Sequence, residues 1–225
     1  MYGEEMFLIL AGLLLTIAAQ IYVSASFAKY KKITNSRGLS GFEVAKEILD
    51  NNGLSNIYVT ETAGALSDHY DSTRKVIKLS TEIFHGTTIA AASVAAHEVG
   101  HAIQDKEGYS FMRIRAALFP LVKFSSYAGY FAILIGVLFG PSDLIAIGIG
   151  LEIIILFFQM VTLPVEFDAS KRAKEELKKY NLVTDKELQG SDKMLRAAAF
   201  TYVASVLTTL LQVIRLILIF GNRRD

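Results

Sequence analysis

The sequence predicts a mainly α-helical, multi-pass membrane protein with a hydrophilic lobe that holds a small β-hairpin. Two observations lead there. Hydrophobic residues make up 52% of the 225 positions and mean hydropathy is positive, both high for an ordinary soluble domain. The apolar residues also cluster into four runs close to or beyond the roughly 20 that span a bilayer core.

The first run, Met6 to about Phe27, contains no charge and reads as a spanning helix. Glu4 and Glu5 precede it and Lys29, Lys31 and Lys32 follow, so the basic start of a cleaved signal is missing and an uncleaved anchor is expected. Further runs cover about Leu118 to Gly140 and Leu144 to Leu163, with a tight turn at Gly140, Pro141 and Ser142, which predicts a membrane hairpin. The last, about Ala197 to Phe220, is broken only by Arg215 near its end and either spans or lies along the membrane.

Positive charge sets the expected orientation. Lys29, Lys31, Lys32 and Arg37 follow the first run, Arg113 and Arg115 precede the second, and Lys171, Arg172 and Lys174 follow the third. All three sets fall on one side, expected to be the cytoplasm of a bacterial-type plasma membrane, against the opposing pull of Arg223 and Arg224. The expected organisation is a transmembrane helix at 1–28, a cytoplasmic lobe at 29–117, a transmembrane hairpin at 118–163, a cytoplasmic segment at 164–196 and a membrane helix at 197–225.

Between the runs, Ser40 and Glu43 form a capping box that opens an amphipathic helix with Val44, Ala45, Ile48 and Leu49 on its apolar face, closed near Gly53. Ile57 to Val59 reads as a short strand, and Ala65 to Leu79 as two extended arms around Asp71, Ser72 and Thr73. Thr87 and Thr88 start an Ala-rich helix that continues through Gln104, and Thr184 with Glu187 forms another capping box.

Inventory narrows the chemistry. Lys plus Arg total 23 against 22 Asp plus Glu, so no basic field for nucleic acid exists. With no cysteine, disulfides, thiolate metal sites and a thiol nucleophile are excluded. Any metal must be held by His and carboxylates.

His97-Glu98-Val99-Gly100-His101 has the form H-E-x-x-H. Residues i and i+4 share a helix face, so two imidazoles converge on one zinc ion while Glu98 stands beside it as general base for an attacking water. That pattern predicts a zincin-like catalytic lobe. A catalytic zinc needs a third protein ligand. No His follows His101, and Glu107 occupies the place six residues on where a third His would stand. A carboxylate is therefore expected. Asp105 and Glu107 are too near along the chain, Asp143 falls on the far side of the membrane and Glu152 falls mid-span. Glu166 follows Pro164 where the third run returns, at the start of an expected helix, and is the chosen ligand.

His69 and Tyr70, in a hairpin arm, are candidates to border the cleft and hydrogen-bond the oxyanion, the alternative being ordinary surface hairpin residues. The arm also offers an edge for an extended peptide. His85 reads as a loop residue, and Glu152 as a bundle residue partnered by Tyr127 or Tyr130.

Asn35-Ser36-Arg37-Gly38-Leu39, Asp68-His69-Tyr70-Asp71, Ala95-Ala96-His97-Glu98 through Gln104, and Leu163-Pro164-Val165-Glu166-Phe167-Asp168-Ala169-Ser170 together resemble the YugP-type membrane zinc metallopeptidases, which are related in pattern to the HtpX-like gluzincins. The resemblance covers nearly the whole chain. It implies that Glu166 opens an E-x-x-A-S segment similar to the E-x-x-A-D whose Glu ligates zinc. Ser170 departs from that Asp, which weakens a supporting role there and leaves Asp168 or Asp71 to orient an imidazole.

The expected function is hydrolysis of peptide bonds in protein substrates, cytoplasmic segments of membrane proteins or misfolded chains near the bilayer. Two rivals are an intramembrane site-two-type protease, in which the H-E-x-x-H helix itself crosses the bilayer, and a non-catalytic scaffold with a structural zinc. The stretch from Thr87 to Ala96 is short for the first. The second needs a fourth protein ligand, for which only His69 or His85 is available. Oligomeric state and substrate identity are not written in the sequence.

Overall fold

The computed structural model describes residues 2–139 and 142–221. The elements are α1 (Tyr2–Tyr30), α2 (Gly41–Asn51), β1 (Tyr58–Thr62), β2 (His69–Asp71), β3 (Val76–Ser80), α3 (Thr81–His85), α4 (Ile89–Lys106), α5 (Ser110–Phe139), α6 (Ser142–Lys179) and α7 (Asp185–Gly221). Among the described residues α1, α5, α6 and α7 are long and apolar enough to cross a membrane. The expected turn at Gly140 and Pro141 and the pair Arg223 and Arg224 lie outside the described residues.

The apolar runs are cores of longer helices. At 38 residues α6 extends about 57 Å at 1.5 Å per residue, far beyond a bilayer core of about 30 Å. It passes through Pro164 without ending, so the expected boundary at 163 falls inside a helix and Glu166 sits in mid-helix rather than at a helix start. A proline removes one backbone donor, and the remaining hydrogen bonds of a 38-residue helix continue on both sides of it. Likewise α7 begins at Asp185, twelve residues before the apolar run, because the capping pair supplies a start signal there. Glu187 accepts from Thr184 N at 2.7 Å.

The chain divides into two compact units. One comprises Met1–Gln20, Arg113–Pro164 and Thr201–Asp225. Its helices meet through small residues. Thr16 and Thr208 share a hydrogen bond and both hydroxyls reach the carbonyl of Gly12, as expected where helices associate without a hydrophobic driving force. Its outward residues, Phe7, Phe119 and Phe139 among them, are exposed apolar groups of the kind a lipid solvates. Tyr127 and Tyr130 are also exposed, and neither hydroxyl bonds Glu152; the expected pairing is not made because these rings turn outward.

The other unit comprises Ile21–Met112 and Val165–Phe200. Its core joins the apolar face of α2 (Val44, Ala45, Ile48, Leu49) to Ile77 and Leu79 of β3, the alanines of α4, and Ala173 and Leu177 of α6. Ser40 and Glu43 cap α2 reciprocally, and Gly53, at φ +65°, turns the chain out of it. The sheet has the order β1-β3-β2. β2 and β3 form the expected antiparallel hairpin, with His69 opposite Lys78. β1 adds in parallel on the other side of β3, a pairing that short-range patterning does not show.

Asn35 fastens the loop after α1 to the start of α4. Its amide donates to Leu39 O at 2.7 Å and Thr87 O at 2.9 Å, and accepts from Leu39 N. Glu187 holds the same loop through Ser36 N and Oγ. Asp68 accepts from Ser80 N at 2.7 Å and so ties the hairpin arm to the residue before α3.

Candidate metal centre

The amino end of α4 is set by Thr88, whose hydroxyl accepts from Ala91 N. Two turns later His97 and His101 stack one above the other, rings 4.8 Å apart and nearly perpendicular. The residue between them that faces α6 is Gly100. A Cβ there would stand 2.6 Å from Ala169 O, so the two helices approach as closely as they do because both positions are small.

That crossing brings Glu166 to the histidines. Its Oε2 is 3.3 Å from His97 Nε2 and 3.7 Å from His101 Nε2, and one donor atom from each of the three residues lies within 4.8 Å of the others. Glu166 is only 3% exposed, and a carboxylate so buried requires cationic or hydrogen-bonding partners. Burial disfavours a charge on His101, yet the hydrogen bond and negative charge of Glu166 outweigh it and lift the imidazole above its ordinary value. Glu98 is buried beside them on the same helix.

The donor set fits zinc. Tetrahedral coordination with bonds of about 2.0–2.1 Å places donors roughly 3.3–3.4 Å apart, close to the 3.3 Å and 3.7 Å that separate Glu166 Oε2 from the two imidazole nitrogens. Two imidazoles and a carboxylate are borderline donors suited to that ion, and three ligands leave a fourth position open. The outer ring nitrogens are engaged too: Ser170 Oγ lies 3.2 Å from His97 Nδ1, and Gln104 Oε1 lies 3.0 Å from His101 Nδ1.

Several expectations about supporting residues change. Ser170 contacts His97 despite replacing an Asp, because its hydroxyl reaches across the close helix crossing. Asp168 bonds Gln104 and Arg172 rather than an imidazole. Asp71 turns inward to its own hairpin, accepting from Thr73 N and Arg74 N. His69 is exposed on the edge strand with Nδ1 at 2.8 Å from Ser67 O, and the Tyr70 hydroxyl donates to Asp105 at 2.7 Å. Burial first, and then Asp105, raise the Tyr70 phenol above its usual range. His85 belongs to α3 rather than a loop and meets Glu61 at 3.2 Å. Sequence reasoning passed over Gln104 and Gly100; their spacing on the motif's own helix face was the available signal.

Over residues 5–221 the chain matches the family described as "Putative neutral zinc metallopeptidase". It is 45% identical over 219 residues to the "Putative membrane protease YugP" of Bacillus subtilis (strain 168), covering 97% of each chain. No solved structure matches it.

Proposed function

We propose, for a chain that belongs to this neutral zinc metallopeptidase family, that it is a membrane-anchored zinc metalloendopeptidase with His97, His101 and Glu166 as metal ligands and Glu98 as general base. The observation that carries the reading is the convergence of both Nε2 atoms on Glu166 Oε2. A zinc ion held by these three groups supplies Lewis acidity at the position they leave open. Glu98 takes the proton of the attacking water onto its carboxylate and returns it to the leaving amine. Burial of Glu98, His101 and Glu166 keeps that proton exchange away from bulk solvent.

Cytoplasmic segments of membrane proteins, or misfolded chains near the bilayer, are the proposed substrates, with the hydrophilic segments on the cytoplasmic side of a bacterial-type plasma membrane. Two rivals have less support. α4 carries the motif and is not among the four helices long and apolar enough to span, which disfavours an intramembrane site-two-type enzyme. Among the described residues His69 and His85 lie outside the metal-binding group, which leaves a structural zinc without a fourth protein ligand.

The test is casein cleavage by detergent-purified wild type and Glu98→Gln, each with its zinc content. Zinc retained with hydrolysis reduced about 10²–10⁴-fold in the variant is expected. Hydrolysis unchanged in Glu98→Gln overturns the mechanism.

A further inference from the structure

We propose that Gln104 is a positioning residue of this site: its side-chain oxygen holds His101 in the tautomer protonated at Nδ1, which presents the Nε2 lone pair to the metal. This rests on the zinc site proposed above and extends it to a residue outside the H-E-x-x-H motif.

The two ends of a glutamine amide have the same shape, so its orientation must be decided by its partners. Gln104 is fully buried and three residues beyond His101, on the same face of α4. One end of its amide lies 2.8 Å from Val165 O and 2.9 Å from Asp168 Oδ2. A carbonyl and an ionised carboxylate only accept, so that end must be the NH2 group, with both of its hydrogens committed. Turning the amide would bury its oxygen against two acceptors and take the NH2 donor away from both. The remaining end is therefore the carbonyl oxygen, 3.0 Å from His101 Nδ1. Facing an acceptor, Nδ1 carries a hydrogen, so Nε2, 3.7 Å from Glu166 Oε2, is the nitrogen that would give up the hydrogen shared with Glu166 and offer its lone pair to a metal.

The carboxylate that fixes the amide is itself fixed. Arg172 Nε donates to Asp168 Oδ2 at 2.5 Å, and Arg172 Nη1 lies 2.8 Å from Glu107 just past α4. The order of contacts is Glu107, Arg172, Asp168, Gln104, His101. The Val165 carbonyl and the Asp168 carboxylate, held by Arg172, together fix the amide, so acceptors on α6 set the tautomer of a histidine on α4. Among the described residues His97 has only the Ser170 hydroxyl at its outer nitrogen, a group that both donates and accepts and so does not select a tautomer.

The experiment measures zinc affinity by chelator competition at fixed pH on full-length protein in detergent, with thermal melting of the metal-free form. Gln104→Met keeps length and apolar bulk without the acceptor, and is expected to bind zinc about 10- to 100-fold more weakly. Gln104→Glu combined with Asp168→Asn puts an acceptor back at His101 and a donor at position 168 while leaving Val165 O without its donor, and is expected to bind zinc more tightly than Gln104→Met but less tightly than wild type. A purely structural amide would lower melting temperature in both without that partial recovery. Folded Gln104→Met binding zinc as tightly as wild type overturns the proposal, as does a double variant no tighter than Gln104→Met. Should Gln104→Met not fold, Gln104→Asn takes its place: one carbon shorter, it draws the acceptor away from His101 Nδ1, several-fold weaker binding is expected and unchanged affinity overturns the idea. Wild type that binds no zinc overturns the metal site itself, a result distinct from tight binding in wild type and Gln104→Met alike.

Discussion

The carbonyl oxygen of Ala169 stands 2.6 Å from the place a Cβ on Gly100 would occupy. Replacing a mid-helix glycine by alanine ordinarily stabilises a protein by about 0.5–1 kcal/mol. Here the added methyl has to push α6 away, so Gly100→Ala is expected to destabilise by about 1–3 kcal/mol. It should also loosen zinc, since Glu166 rides on the displaced helix three residues before Ala169. Thermal melting with a chelator titration reads both, and a stabilised variant would contradict the crossing described.

Among the described residues, Ser170 is the one side chain hydrogen-bonded at the outer nitrogen of His97. Ser170→Ala is expected to weaken zinc by about tenfold. Ser170→Asp, which offers a charged acceptor at the same place, should bind at least as tightly as wild type. Equal affinities in all three proteins would remove Ser170 from the site's support.

Tyr70 spends its hydroxyl on Asp105. Tyr70→Phe should therefore cost about 1 kcal/mol of stability at neutral pH while leaving hydrolysis within a few-fold. Because the folded-state phenol is held above its ordinary value, its contribution is full below about pH 10 and fades as pH rises toward the folded value. Melting curves of wild type and Tyr70→Phe should accordingly converge in strong alkali. A hundred-fold loss of hydrolysis instead would return Tyr70 to the oxyanion.

The absence of cysteine makes the chain a ready background for single-cysteine labelling. In the proposed orientation, argued from the positive residues flanking the first three runs, Arg74 faces the cytoplasm and Asp143 the outside. In intact cells an impermeant maleimide should label Asp143→Cys but reach Arg74→Cys only after lysis. The reverse pattern would invert the topology.

Much of this architecture is legible in the sequence because it depends on local signals. Ser40 and Glu43 announce α2, Thr88 announces α4, and i, i+4 spacing already puts His97 and His101 on one face. Charge and apolar length find the four long helices. Less legible is whatever depends on residues distant in sequence. Nothing near Tyr58 says that β1 will lie parallel to β3, and Pro164 looks like a helix end until the residues on both sides sustain the ladder. Glu166 can be chosen from its environment, but the closeness that lets it reach both imidazoles comes from Gly100 meeting Ala169, 69 positions apart. Gln104 hides for the same reason: its partners Val165 and Asp168 are on another helix.

The most direct measurement of the central claim is zinc per chain in purified wild type and Glu166→Ala after dialysis against a moderate chelator. Wild type is expected to hold about one zinc and the variant to lose it, because two imidazoles alone hold the ion too weakly. Equal zinc in both proteins, or none in wild type, would contradict it.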